Sequence, residues 1–159
     1  MATSFSNPII PGFAPDPSII PLEKTYFLVN SSFHVVPGLP IYASKNLRQW
    51  TQIGNAINCP SQISLHLSLV VKSPIDDDSE VIGATGLLAP TIRYHNGRFF
   101  IICTNLSVNK DPKAILQNFH IHTNNIWLSR WSDPIDYDWN GIDPSLFFED
   151  DGRAYIQGQ

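Results

Sequence analysis

The chain has 159 residues, of which 43% are hydrophobic, 11% aromatic and only 15% charged, with a formal net charge of −4. That balance excludes a disordered segment, which needs low hydrophobicity and high net charge, and it lacks the basic footprint of a nucleic-acid binder. No apolar run approaches the roughly 18 residues of a membrane-spanning helix, so neither nucleic acid nor membrane is an expected partner.

The elements, taken in chain order, are short and separated by turn signals, as thirteen prolines and nine glycines dictate. The opening MATSFSNPIIPGFAPDPS lacks the basic and apolar regions of a secretory signal, which makes the cytoplasm the default expectation, with an extracellular location the open alternative. Aromatic and β-branched clusters then recur at 25–33, 39–45, 67–72, 91–94, 98–104, 120–129, 145–149 and 153–158. Runs of this kind read as the strands of an all-β sandwich, barrel or propeller. The best helix candidate is Asp111–Asn118, with Asp as N-cap and Pro at the first helical position. Cys59 and Cys103 lack the spacing of a disulfide framework or a zinc ribbon. Asn30-Ser31-Ser32 and Asn105-Leu106-Ser107 fit the glycosylation sequon, and in a chain rich in Asn and Ser both read as chance.

Three segments share one pattern: PDPSIIPLEKTYFLVN from Pro15, LAPTIRYHNGRFFIICTN from Leu88, and GIDPSLFFEDDGRAYIQG from Gly141. Each carries a proline, a Ser or Thr and an aliphatic residue, then a polar turn, then an aromatic-aliphatic strand. Asn96-Gly97 and Asp151-Gly152 favour tight hairpins because Gly tolerates positive φ. The aligned Pro17, Pro90 and Pro144 lie 73 and 54 residues apart, near the roughly 40–50 residues of a four-stranded propeller blade plus a loop. A sandwich does not predict one hairpin signature three times, so the repeats favour a β-propeller. LPIYASKNLRQWTQI and NIWLSRWSDPI are the candidate outer strands of its blades.

Asp16 and Asp143 both stand immediately before the aligned proline, whereas the middle copy has Ala89. Equivalent positions on innermost strands converge on the propeller axis, so the two carboxylates would face each other across a pocket. Paired carboxylates are what glycoside hydrolysis requires, one to protonate the leaving oxygen and one to activate water. Asp-Pro-Ser also opens ordinary turns, because Asp can bond its own backbone two residues on.

Here the sequence resembles a family. NPIIPGFAPDPS at 7–18 looks like the opening of the family 43 glycoside hydrolases, which hold β-xylosidases and α-L-arabinofuranosidases. SSFHVVPGLPIYASKNLRQWTQIG at 31–54, GLLAPTIRYHNGRFFIICT at 86–104 and SRWSDPIDYDWNGIDPSLFFEDDGRAYI at 129–156 are similar to its next three blocks, in order. The resemblance implies a five-bladed propeller, of which residues 1–159 are the N-terminal two to three blades, and hydrolysis with inversion of xylose- or arabinose-containing glycans. It makes Asp16 the general base and Asp143 the carboxylate that tunes the acid's pKa and orients substrate. The general acid is a Glu expected beyond Gln159, and Glu149, Asp150 and Asp151 read as a hairpin turn. A ring cut at this length leaves strand edges exposed, so the isolated chain is expected to be poorly soluble and inactive.

Substrate-contact candidates are Phe33 as an apolar wall, His34 in a segment more acidic or aromatic in β-xylosidases, and Leu88 where the family often has Trp. No cofactor is expected. Relatives can carry an ion near the axis, but its ligand would lie outside these residues, and His120-x-His122 lacks a third ligand. Asp76–Glu80 reads as a solvated loop and Trp50, Trp127, Trp131 and Trp139 as core. Two rivals stand beside the enzyme: a non-catalytic sugar-binding propeller or inactive fragment, and an interaction propeller of WD40 or kelch type, whose signatures are missing.

Overall fold

In the computed structural model, residues 4, 6–76, 79–108 and 114–159 are described, with backbone alone at 71–76 and 79–82. Among the described residues, twelve strands are arranged in four sheets. The first sheet is an antiparallel meander of β1 (Ser18–Leu22), β2 (Thr25–Val29), β3 (Gly38–Ser44) and β4 (Thr51–Ile57), in that order. The hairpin β5 (Val70–Asp76) and β6 (Ser79–Ala84) follows as an insertion. The second four-stranded sheet holds β7 (Gly86–His95), β8 (Arg98–Val108), β9 (Ala114–Thr123) and β10 (Ile135–Tyr137). The hairpin β11 (Ser145–Phe148) and β12 (Ala154–Gln157) ends the chain. Two up-and-down blades and the opening hairpin of a third are part of a β-propeller.

The turn chemistry explains the hairpins. Asn96 and Gly97 take φ of 47° and 80° between the paired His95 and Arg98, the two positive angles a tight hairpin of right-twisted strands needs. The β11–β12 turn closes through the Glu149 and Gly152 amides, which donate to Arg153 and Glu149 carbonyls, with Gly152 at φ 88°. Glu23, at φ 53°, makes the equivalent turn without glycine.

The core lies between the two blades. Phe27, Val29, Leu39, Ile41 and Ile57 of the first meet Leu87, Ile92, Phe99, Ile101, Cys103, Phe119 and Ile121 of the second, all buried. Each such large apolar side chain contributes about 1.5–3 kcal/mol by leaving water. Polar bonds lock the inner strands in register: the Ile92 amide donates to Ser18 Oγ (3.1 Å), and Arg93 reaches the Leu146 carbonyl (2.9 Å) and Ser145 Oγ (2.7 Å). Thr91 Oγ1 donates to the Pro144 carbonyl at 2.7 Å. Because 91 meets 144 and 93 meets 146, β7 and β11 run parallel. The stretches that follow Pro17, Pro90 and Pro144, on β1, β7 and β11, therefore bear out the three repeat copies.

Two local expectations fail. Ala114–Asn118 is strand, not helix, because residues 114–123 pair with 99–108 along the whole of β8; Asp111–Lys113 lie outside the described residues. The outer strand of the second blade is also not Asn125–Ile135, of which only Ile135 is strand. Asn125 Oδ1 accepts from the Trp127 amide (3.0 Å) and starts a 3₁₀ turn over Ile126–Leu128, which Ser129 ends at φ 48°. Pairing resumes only at Ile135. Within the loop expected at Asp76–Glu80, Asp76 and Ser79 pair as the end of the β5–β6 hairpin, and Asp77 and Asp78 lie outside the described residues.

The seam between the blades depends on Gly86. Its φ is 116°, and a Cβ there would sit 2.3 Å from the Phe33 carbonyl oxygen, which accepts from the Leu87 amide. Gly97 also has positive φ, but open space around it. Gly97→Ala should cost about 1 kcal/mol from backbone strain alone, and Gly86→Ala about 3 kcal/mol or more. Urea unfolding of both variants checks the order.

Candidate functional site

Asp16, Ala89 and Asp143, the three residues before the aligned prolines, all adopt left-handed backbone, with φ of 50°, 42° and 54°. Asp tolerates this region better than most residues and Ala does not. Ala89 adopts it too, so the shared conformation belongs to the repeat architecture and not to Asp side-chain chemistry. In the second blade it coincides with a register shift between Leu88 and Thr91.

A buried polar clamp holds the segment before Asp16. The Asn30 side-chain amide donates to the carbonyls of Ala14 (2.9 Å) and Pro15 (3.1 Å), and the Ser31 amide also donates to Pro15 (3.1 Å). Ser31 Oγ donates to Asp16 Oδ2 at 2.6 Å and accepts from the Ala89 amide at 2.8 Å. Asn30 and Ser31 are each 1% exposed, whereas Asp16 is exposed. The carboxylate thus faces solvent on a rigid base. The expected Asx-type bond to its own backbone is replaced by a bond fifteen residues away.

A second clamp precedes Asp143, which is also exposed. Buried Asn118 donates to the Trp139 and Gly141 carbonyls, both at 2.8 Å, while its Oδ1 accepts from Thr104 Oγ1 at 2.6 Å. The Trp139 ring crosses Gly141 and Gly158 so closely that a Cβ on either would stand 2.3 or 2.4 Å from it. Ile142 and Gln159 exchange backbone hydrogen bonds of 2.9 and 3.0 Å. Trp139 therefore packs the approach to Asp143, Trp127 is 54% exposed, and Trp50 and Trp131 are half-buried.

The structure gathers the other candidates around Asp16. Phe33 and Leu87 form an antiparallel bridge, the two amide-to-carbonyl bonds measuring 3.1 and 2.9 Å. This sets half-buried Leu88 beside the 31–33 segment, with half-buried Phe33 and exposed His34 following on the same loop. The Phe33 ring lies 5.2 Å from that of Phe13, which is 70% exposed. Phe13, Asn30, Ser31 and Asn118 escaped the sequence reading. Asn30 did carry a signal, but as a sequon; its amide, like that of Asn105, is buried and hydrogen-bonded. The Cys103 thiol lies under this region, donating to the Leu88 carbonyl at 3.2 Å. Complete burial, with a smaller contribution from the Asp16 charge, pushes its pKa well up, which removes it as a nucleophile.

Among the described residues, no three His, Cys, Asp or Glu side chains gather as a metal site. His120 and His122 do share a face of β9, stacked with 6.0 Å between centroids, and His120 Nδ1 pairs with the Tyr137 hydroxyl. Glu149 and Asp151 are tied to Arg153 at 3.0 and 2.6 Å on the β11–β12 turn, at the opposite end from Asp143 of a four-residue strand that spans about 13 Å. Burial, and secondarily His122, hold the His120 pKa below its ordinary value. The folded protein then resists a proton the unfolded chain accepts, so stability falls as pH drops through about 6.5. His120→Phe should narrow the difference between urea midpoints measured at about pH 7.5 and about pH 5.5.

Comparison with known proteins gives the family of the chain. The family described as glycosyl hydrolases family 43 matches residues 5–159. A xylosidase/arabinosidase of Butyrivibrio fibrisolvens is 40% identical over 96% of this chain and 26% of its own length. A non-reducing end α-L-arabinofuranosidase of Bacteroides ovatus is 37% identical over 96% of this chain and 26% of its own. The crystal structure of a xylan β-1,4-xylosidase from Bacillus halodurans superposes with a TM-score of 0.76 at 33% identity, covering 96% of this chain and 27% of that one. The chain thus spans about a quarter of the length of these relatives. With this match and the repeated blade architecture together, the chain belongs to family 43 of the glycosyl hydrolases.

Proposed function

We propose that this chain supplies two of the carboxylates of an inverting glycoside hydrolase acting on xylose- or arabinose-containing glycans. The observation that carries this reading is the exposed Asp16 carboxylate, fixed by a buried hydroxyl at the start of an innermost strand, with Asp143 at the equivalent start two inner strands away. The names of the relatives, a xylosidase/arabinosidase and an arabinofuranosidase, support the substrate class.

In the proposed reaction Asp16 takes a proton from a water molecule on the face of the sugar opposite the leaving group. The water oxygen bonds to the anomeric carbon as its bond to the glycosidic oxygen breaks, and a general acid protonates that oxygen. Asp143 tunes and orients the acid and substrate by its charge. The acid itself is a glutamate carried outside these residues, as the resemblance implies; Glu149, Asp150 and Asp151 are committed to the far end of the β11–β12 hairpin. Phe33 and Leu88 supply apolar wall, with His34 at the exposed rim.

Asp16→Asn in the protein at its natural length should lower hydrolysis of aryl β-xyloside and aryl α-L-arabinofuranoside by at least about a thousandfold, since it removes the base while keeping the shape. Turnover retained by the variant would remove the base assignment. Tight sugar binding without turnover by the unmutated protein would replace this reading with a sugar-binding propeller.

A further inference from the structure

We propose that Ser31 is a positioning residue for the Asp16 carboxylate, fixing its orientation through a relay that starts on the neighbouring blade. The inference rests on the reading of Asp16 as general base. A hydroxyl has one proton and two lone pairs. Ser31 Oγ accepts from the Ala89 amide at 2.8 Å, so its own proton is directed to Asp16 Oδ2, 2.6 Å away. That bond is short, as a charge-assisted O–H···O⁻ contact should be. Among the described residues Asp16 Oδ1 has no partner, which leaves it for water.

The relay explains two features at once. Ala89 takes the strained left-handed conformation without any side-chain reward, and this brings its amide to Ser31. The middle repeat copy therefore lacks an acid because its place in the site is that of a backbone donor. Ser31 itself is 1% exposed, and its amide and that of Asn30 hold the preceding carbonyls, so it cannot follow Asp16 if the carboxylate turns. Of the elements packed here, the loop after β2 carries Ser31 and, farther on, His34. The β7 segment carries Leu88 and Ala89, neither of which titrates. The β8 strand carries the Cys103 thiol, kept neutral by burial. Asp143 stands on the next inner strand but one.

A carboxylate that loses its fixed donor can turn away from the attacking water while the sugar still binds, so the loss falls on kcat and not on KM. The test is kcat and KM on an aryl glycoside substrate, in the protein at its natural length, for Ser31→Ala, Ser31→Cys, Ser31→Thr and Ser18→Ala. Ser31→Ala should lower kcat at least about tenfold and leave KM in place. Ser31→Cys, near-isosteric with a weaker donor, should lower kcat by less, and serves if the Ala variant does not fold. Ser31→Thr should restore kcat. Ser18→Ala breaks a comparable bond between blades, to the Ile92 amide, and should leave kcat in place. A kcat unchanged in both Ser31→Ala and Ser31→Cys, or lowered equally by Ser18→Ala, would overturn the proposal. Full turnover by Asp16→Asn would instead remove the base reading on which it stands.

Discussion

A residue with positive φ directly before a proline, repeated at Asp16, Ala89 and Asp143, is the constraint on which the rest of the structure turns. Pre-proline residues are steered toward extended backbone by the ring, and left-handed backbone costs about 1–2 kcal/mol for residues with a Cβ. The conformation persists because the surroundings over-determine it. Asn30 and Asn118, each 1% exposed, use their amide protons to grip two carbonyls of the segment that leads into each acidic position. A buried amide with its donors satisfied is a rigid support, and one left unpaired would cost about 1–3 kcal/mol. Strain is thus held at the two positions where an exposed carboxylate follows a clamped segment.

The same bonds join the blades. Blades in a propeller touch mainly through apolar faces, which resist separation but tolerate sliding. Here the Ser31–Ala89, Ser18–Ile92, Thr91–Pro144 and Arg93–Ser145 bonds set the relative height of three inner strands. The apolar core between the first two blades supplies the bulk of the stabilisation and these few polar contacts supply the register. Packing and site are therefore one system: Gly86, which lets the Phe33 carbonyl approach β7, also brings Phe33 and Leu88 toward Asp16.

How much of this could be read in the sequence followed how local its causes were. The three inner hairpins were legible because Asn96-Gly97, Asp151-Gly152 and the aligned proline of each repeat act within a few residues. Asp16 and Asp143 were legible because they occupy one position of that repeat. Asp111-Pro112 gave a local helix-start signal, yet Ala114–Asn118 became strand because ten consecutive pairings with β8 outweigh one capping signal. The 3₁₀ turn at Ile126–Leu128 came from a single Asn125 bond inside an otherwise strand-like run. Ser31 and Asn118 were hidden for the opposite reason. Their partners lie 15, 58, 21 and 23 residues away, and a lone Ser or Asn carries no periodicity to announce such bonds.

The central claim is that two clamped carboxylates, presented at the starts of inner strands, meet one sugar at the propeller axis. The most direct measurement is a crystal structure of the protein at its natural length with xylose or arabinose bound. The account predicts the sugar between the Asp16 and Asp143 carboxylates, a water bridging the anomeric carbon and Asp16 Oδ1, and Ser31 Oγ still bonded to Oδ2. A sugar seated away from both carboxylates, or an Asp16 side chain turned off Ser31 to reach it, would contradict it.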